Sequence, residues 1–144
     1  FPSLKRVTSF DLLEGNREQN KELIRPRLLS VENDPSSTKI VQYFLKNLCV
    51  VDHASTSEDA LKLIQKNQYR AIMMDVNTSG GSGLEAVKEI KKYPQYQNTP
   101  IIAVTTYAMN SDKEKFLQNG CSYYLSKPFD RRVLVNLVLE ILKN

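Results

Sequence analysis

Short apolar runs alternate with amphipathic segments along the chain from about residue 28 onward. Each run ends at polar or turn-forming residues, which is typical of a strand buried on both faces of a parallel sheet. Five such runs predict five strands, at residues 28–31, 49–51, 71–74, 100–104 and 123–125.

The segments between these runs carry apolar residues at the period of one α-helix face. Residues 33–36 and 55–58 offer N-cap side chains before the first two segments, and Pro35 suits the first turn of a helix. The apolar positions that define the five predicted helices are Ile40, Val41, Phe44, Leu45 and Leu48; Ala60, Leu61 and Ile64; Leu84, Val87 and Ile90; the stretch 107–117; and Leu134, Val138, Ile141 and Leu142.

Strands that alternate with helices predict an α/β fold of five βα units, a doubly wound five-stranded parallel sheet with helices on both faces. The length of 144 residues fits one domain, which we assign to residues 27–144. Residues 1–26 do not follow the alternation. Their apolar positions indicate a partial helix with a break near Gly15, so we expect a linker or an N-terminal extension there.

Composition and charge narrow the classes of function. The net charge of +4 is mild and the basic residues are spread along the chain, so direct nucleic-acid binding is not expected. No apolar run approaches the roughly 20 residues that span a bilayer, so we expect a cytoplasmic location without direct membrane contact. Cys49, Cys121 and His53 are a poor zinc-ligand set. We expect two buried reduced thiols and a histidine that is structural or exposed.

Side chains with a shared chemistry stand at the predicted strand ends, where doubly wound folds place their sites. They are Glu32, Asn33 and Asp34 after the first strand, Asp75 after the third, Thr105 after the fourth and Lys127 after the fifth. Oxygen ligands suit Mg²⁺, a carboxylate beside the ion can attack phosphorus, and a lysine and a hydroxyl can stabilise the transferred group. Each residue alone also has an ordinary reading as a turn cap or strand end. Together they favour a carboxylate phosphorylation site.

The stretch from about residue 28 to residue 142 resembles a response-regulator receiver domain of two-component phosphorelays. The resemblance rests on the order and spacing of seven motifs, which are Val-Glu-Asn-Asp-Pro at 31–35, Met-Met-Asp-Val-Asn at 73–77, Gly-Leu-Glu at 83–85, Pro-Ile-Ile-Ala-Val-Thr at 100–105, Ala-Met at 108–109, Asn-Gly-Cys at 119–121 and Tyr-Leu-Ser-Lys-Pro-Phe at 124–129. The chain is similar to receivers of hybrid sensor kinases and to single-domain regulators. The resemblance implies a flavodoxin-like (βα)5 fold with strand order 2-1-3-4-5.

The resemblance also implies roles for individual residues. It makes Asp75 the phosphoacceptor, and it gives Mg²⁺ the ligands Glu32, Asp75 and the backbone carbonyl of Asn77. Thr105 and Lys127 would bind the phosphoryl group, and Tyr124 would move inward on activation. The donor in the family is a phosphohistidine on a histidine kinase or a His-containing phosphotransfer protein, and a downstream protein target would read the result. The parent would be a stand-alone regulator or the cytoplasmic part of a membrane-anchored sensor kinase.

Two motifs depart from the family pattern. The family's direct metal-ligand position after the first strand holds an amide here, Asn33, and the aspartate stands one place later, at Asp34. An amide oxygen brings no charge, so a weaker Mg²⁺ site is expected, with Asn33 or Asp34 as its further ligand. The loop 78–81 reads Thr-Ser-Gly-Gly where the family often has Met-Pro, which predicts a more mobile loop.

Other functions compete with the phosphoacceptor. A degenerate pseudo-receiver would act as a protein-binding module without phosphorylation. An aspartyl-phosphate phosphatase needs a general acid two residues after its nucleophile, where this chain has Asn77. A flavin-binding module would place phosphate after the first strand, beside the repelling carboxylates of Glu32 and Asp34. The apolar last helix is compatible with a homodimer, although burial in the core accounts for the same residues.

Overall fold

A five-stranded parallel sheet lies between two layers of helices. The computed structural model describes residues 25–76, 83–106 and 110–143. Within these residues the elements in chain order are β1 (Arg27–Val31), α1 (Pro35–Leu45), β2 (Val50–Ala54), α2 (Ser57–Lys66), β3 (Ala71–Asp75), α3 (Gly83–Lys91), a 3₁₀ turn (Pro94–Tyr96), β4 (Ile101–Thr105), α4 (Asn110–Gln118), β5 (Tyr123–Ser126) and α5 (Arg131–Leu142). The strand order is β2-β1-β3-β4-β5, which confirms the predicted doubly wound fold.

The inner strands are apolar because both of their faces pack against helices. Every residue of β3 and of β4 is buried, as expected for central strands of a parallel sheet. Buried side chains from α2 and α3 cover one face, with Ile64 and Val87 among them. Side chains from α1 and α5 cover the other face, with Leu45 and Leu134 among them.

The helix starts follow the sequence signals. Asp34 is the N-cap of α1, where its side chain accepts a hydrogen bond from the Ser36 amide, and Pro35 begins the helix. Thr56 caps α2 in the same way by accepting from the Asp59 amide. These caps satisfy amide groups that have no partner within the helix.

Several predicted boundaries are wrong by one to three residues. The second strand is Val50–Ala54 and excludes Cys49 but includes Asp52 and His53. These polar residues are tolerated because β2 is an edge strand with a partner on one side only. The fourth strand begins at Ile101, after Pro100, and runs through Thr105.

One helix face is narrower than predicted. Val41 and Leu45 of α1 are buried, but Ile40 is 48% exposed. A helix turns by about 100° per residue, so Ile40 lies at the border of the face that Val41 and Leu45 share. Leu48 follows the end of the helix. In α5 the expected burial holds for Leu134, Val138 and Ile141, which accounts for most of its apolar stripe.

Some predictions fall outside the described residues. These are the N-terminal extension up to residue 24, the loop 77–82 that contains Asn77, and the start of the fourth helix at 107–109. Among the residues that are described, no helix is long and apolar enough to cross a membrane.

A candidate phosphorylation site

Two buried carboxylates and one lysine meet at the carboxyl ends of the strands. Glu32 follows β1 and is 6% exposed, and Asp75 ends β3 and is 8% exposed. Lys127 follows β5, and its Nζ lies 3.2 Å from Asp75 Oδ2 and also donates to Glu32 Oε1. The right-handed crossovers of the fold bring these three side chains to one edge of the sheet.

Burial and charge act together on these groups. Burial raises the pKa of Glu32 above its usual range; the Lys127 ammonium opposes this shift, and the neighbouring Asp75 carboxyl adds to it. Burial alone would lower the pKa of Lys127, but the hydrogen bond with Glu32 and the charges of both carboxylates raise it. The lysine therefore stays an ammonium that neutralises part of a crowded negative site.

The end of β4 places Thr105 beside the lysine. Thr105 is buried at 3% exposure, and its backbone carbonyl accepts a 2.8 Å hydrogen bond from the Lys127 amide. Thr105 pairs with Ser126 in the β4–β5 register, and Asp75 pairs with Val104 in the β3–β4 register. The sheet thus fixes the main chains that carry Asp75, Thr105 and Lys127 at adjacent strand ends.

The two acidic residues of the turn after β1 have different hydrogen-bond partners. The carboxylate of Asp34 serves the cap of α1, where it also accepts a hydrogen bond from the Ser37 hydroxyl at 3.3 Å. Asn33 and Asp34 are both exposed. The Asp34 amide donates to Glu32 Oε2 at 3.3 Å. Glu32 is therefore the residue of this turn that joins Asp75 and Lys127.

Gly83, the first residue of α3, lies against the strand end that carries Asp75. A Cβ atom there would stand 2.6 Å from the Asp75 carbonyl oxygen and 2.7 Å from Val76 Cα. The Gly83 amide also donates to the Val76 carbonyl at 3.2 Å. Only glycine permits this close approach of two backbones.

Tyr124 stands apart from this cluster, on the edge strand β5. It is 39% exposed, and the Nζ atom of Lys113 lies 4.8 Å from the centre of its ring. That contact is a cation–π interaction at the surface. The ring is on the outside of the molecule in this structure.

Sequence reasoning missed two features beside the site. One is a cleft of about 350 Å³ next to Asp75, whose lining is mainly apolar and includes Ile40, Met73 and Phe129. The other is the contact made by His53, whose Nε2 lies 2.6 Å from the Glu32 carbonyl oxygen. No periodicity marked either one, because the cleft joins distant elements and the histidine is an isolated polar residue of an edge strand.

Glu32, Asp75 and Lys127 form an acidic pocket, in which a Mg²⁺ ion would need oxygen ligands. Among the described residues no group of three or more His, Cys, Asp and Glu side chains is arranged to hold a metal. Mg²⁺ commonly takes only one or two carboxylates and keeps several waters. Glu32 and Asp75 supply two carboxylates in one crowded negative site, so the residues fit the ion.

The doubly wound fold carries an acidic pocket at its strand ends, which is the arrangement that the sequence predicted for a carboxylate phosphorylation site. Comparison with known proteins identifies the family. The family model described as the response regulator receiver domain matches residues 28–139. The chain therefore belongs to the receiver domain family of two-component signalling.

Curated relatives include kinases and a transcription factor. The signal transduction histidine-protein kinase BarA of Escherichia coli K12 is 32% identical over 114 residues, which is 78% of this chain and 12% of the kinase. The transcription factor SKN7 of Saccharomyces cerevisiae is 30% identical over 135 residues, 92% of this chain and 21% of that protein. The chain thus spans a small part of these relatives.

Solved structures agree on the fold. The chemotaxis response regulator CheY4 of Vibrio cholerae superposes with a TM-score of 0.77 at 28% identity, covering 81% of this chain and 98% of that one. The receiver domain of the sensor histidine kinase PA1611 of Pseudomonas aeruginosa, described with a magnesium ion in its active site cleft, has a TM-score of 0.76 at 29% identity, covering 83% and 98%.

Proposed function

We propose that Asp75 accepts a phosphoryl group from a phosphohistidine and that this modification switches a protein-interaction surface. One observation carries the proposal. Asp75 is a buried carboxylate at the end of β3 with an ammonium, that of Lys127, 3.2 Å away. A nucleophile that faces phosphorus needs such a cation, because charge develops on the phosphoryl oxygens in the transition state.

The proposed transfer exchanges one bond to phosphorus for another. A carboxylate oxygen of Asp75 attacks the phosphorus, and the bond from phosphorus to the donor ring nitrogen breaks. The ring, which carries a proton on its other nitrogen, takes that electron pair and leaves as neutral imidazole. Asp75 becomes an acyl phosphate. Lys127 then pairs with a phosphoryl oxygen, and the Thr105 hydroxyl donates a hydrogen bond to another.

In this proposal Glu32, Asp75 and the backbone carbonyl of Asn77 hold Mg²⁺, which neutralises charge on the transferred group when it is bound. Asp34 is engaged in the cap of α1 and Asn33 carries no charge. The pocket therefore offers one acidic ligand from the turn after β1. We expect a weaker Mg²⁺ site than one with two acidic residues in that turn.

The switch is proposed to act on the face formed by α4, β5 and α5. Tyr124 and Lys113 belong to this face. When the Thr105 hydroxyl moves toward the phosphoryl group, space opens behind it that the ring of Tyr124 would enter. A downstream protein would recognise the face with the ring in its inner position.

The proposal extends to partners, place and architecture. The donor would be a histidine kinase or a His-containing phosphotransfer protein, and the reaction would take place in the cytoplasm, with no direct contact to nucleic acid or membrane. Residues 27–144 would form the receiver, and residues 1–26 a linker or extension. In a homodimer that pairs two copies through α5, the exposed side chains of Val133 and Leu139 would form the contact.

Intact-mass spectrometry tests the phosphoacceptor. The protein is incubated with acetyl phosphate, with and without Mg²⁺, beside Asp75→Asn and a control, Asp59→Asn, at an exposed carboxylate in the first turn of α2. We expect a single phosphoryl adduct that requires Mg²⁺, is absent from Asp75→Asn and persists in Asp59→Asn. An adduct that survives Asp75→Asn would contradict the assignment.

A second candidate is the pseudo-receiver, a protein-binding module that takes no phosphate. It is favoured by one feature, the use of Asp34 for the helix cap instead of the pocket. No adduct in the wild type at high Mg²⁺ would decide for this candidate, and the search would then turn to a constitutive protein partner.

A further inference from the structure

His53 contacts the main chain of the residue that supplies the second carboxylate of the pocket. Its Nε2 atom lies 2.6 Å from the Glu32 carbonyl oxygen, and the ring is partly buried on β2. A carbonyl oxygen only accepts hydrogen bonds, so Nε2 carries the hydrogen and donates it. The contact links the edge strand to the turn between β1 and α1.

Glu32 is held at each of its polar groups. Its amide donates to the Ala54 carbonyl at 2.9 Å, and its carbonyl accepts from His53. Its carboxylate accepts from Lys127 and from the Asp34 amide. Among these four hydrogen bonds, the bond from His53 comes from a side chain that lies outside the pocket. Without it the carbonyl of a residue that is only 6% exposed loses this partner, and the peptide that follows Glu32 loses one constraint on its orientation.

We propose that His53 is a positioning residue, which fixes the main chain of Glu32 so that its carboxylate is ready for a divalent cation beside Asp75. This inference rests on the proposed phosphoacceptor function and deepens it. Partners that orient a metal ligand commonly contribute tenfold or more to metal affinity. The role requires a hydrogen-bond donor at the place of Nε2, and it requires no charge on the ring.

Three substitutions separate this role from a general structural one. His53→Leu removes the donor. His53→Asn keeps an amide donor that is about one bond too short, whereas His53→Gln carries an amide nitrogen near the place of Nε2. The control is Asp52→Asn, at the preceding residue of β2. It removes the negative charge that faces Arg27 and Tyr69, two residues remote from the pocket.

The measurement is the Kd for Mn²⁺, taken from the paramagnetic resonance signal of the free ion, because Mn²⁺ accepts the same oxygen ligands as Mg²⁺. We expect the Kd to rise about tenfold in His53→Leu and His53→Asn, as for other partners of metal ligands. It should return to within about threefold of the wild type in His53→Gln and stay unchanged in Asp52→Asn. Urea unfolding of every variant shows which of them are folded. If His53→Leu is not folded, the comparison of His53→Asn with His53→Gln decides the test.

A readout without metal completes the test. The Asp34 amide donates to Glu32 Oε2, so its proton resonance should shift in His53→Asn and return in His53→Gln. Equal Kd values across the histidine variants would overturn the inference, even if the wild type binds Mn²⁺ and takes the phosphoryl group at Asp75. A wild type that binds no Mn²⁺ and takes no phosphoryl group would overturn both this inference and the proposed function.

Discussion

At the scale of residues, one ammonium group forms ion pairs with two carboxylates. Lys127 contacts Glu32 and Asp75, and the side chains of both acids are about nine-tenths buried. Substitution Lys127→Met would leave two neighbouring negative charges without their cation. We expect the free energy of unfolding in the absence of metal to fall by about 2 kcal/mol, since an uncompensated buried charge is costly.

Urea denaturation in the presence of a chelator measures this loss. Lys62→Met, at an exposed lysine of α2, is the matched control and should change stability by less than about 0.5 kcal/mol. Adding Asp75→Asn to Lys127→Met should recover part of the loss, because one of the two repelling charges is then gone. A double variant less stable than Lys127→Met would contradict this account.

The positions of the strand ends predicted which residues form the pocket, but they did not predict all the contacts that these residues make. Glu32, Asp75 and Lys127 follow directly from the rule that sites lie at the carboxyl ends of parallel strands. The side chain of Asp34 was not predictable in the same way, because it had a choice between the pocket and the cap of α1 and the amides of the helix end decide it. The contact of His53 depends on strand register, which sequence patterning leaves open.

At the scale of elements, Lys91 joins the end of α3 to the segment before β4. Its Nζ donates to the carbonyls of Tyr96, Gln97 and Thr99, at 3.2, 3.2 and 2.6 Å. Substitution Lys91→Met would leave these carbonyls without their charged donor. We expect a loss of about 2 kcal/mol in the free energy of unfolding, in the range of hydrogen bonds to charged groups.

The next residue provides the control for this prediction. Lys92 forms an exposed ion pair with Glu89 at 3.0 Å. Exposed pairs contribute little because water screens them, so Lys92→Met should cost less than about 0.5 kcal/mol. Equal losses for the two variants in thermal or urea unfolding would refute the role assigned to Lys91.

Helix and strand ends show where sequence patterning reaches its limit. The period of apolar residues predicted α3 through Leu84, Val87 and Ile90, and all three are buried. The same period predicted too short a range for β2, because Asp52 and His53 break the apolar run, whereas an edge strand accepts polar residues. Patterning also included Ile40 in the buried face, since it does not tell which border of a helix meets a cleft.

At the scale of the whole molecule, the two thiols lie in the core and are shielded from reagents. Cys49 and Cys121 are free and buried. Burial raises the pKa of each thiol to about 11, although Arg25 and Lys91 respectively oppose the shift. The thiolate is the reactive form. We therefore expect no reaction of the native protein with a chromogenic disulfide at pH 8 and the release of two equivalents in urea.

The same shift has a consequence for stability at high pH. Unfolded thiols ionise near their ordinary pKa of 9.0 while the folded ones stay protonated up to about 11. The folded state then binds more protons, so the free energy of unfolding should fall as the pH rises from about 9 to about 11. Replacement of both cysteines by alanine should reduce this slope in urea titrations, and an unchanged slope would contradict the prediction.

The overall topology was predictable because few arrangements of five βα units satisfy the crossover rule. The doubly wound sheet needed only the alternation of the elements, and the strand order came with the resemblance to receiver domains. The predictions for the N-terminal extension and for the loop after Asp75 concern residues outside the described ranges, so they stay predictions.

The contact between Lys127 and Glu32 joins residues that are 95 positions apart in the chain. Closing such a long loop costs more entropy than forming a local turn, so we expect contacts of this kind to form late in folding. The acidic pocket is therefore assembled only after the last strand has taken its place at the edge of the sheet. The ion pair that neutralises part of the pocket is thus complete only when the chain is folded from β1 through β5.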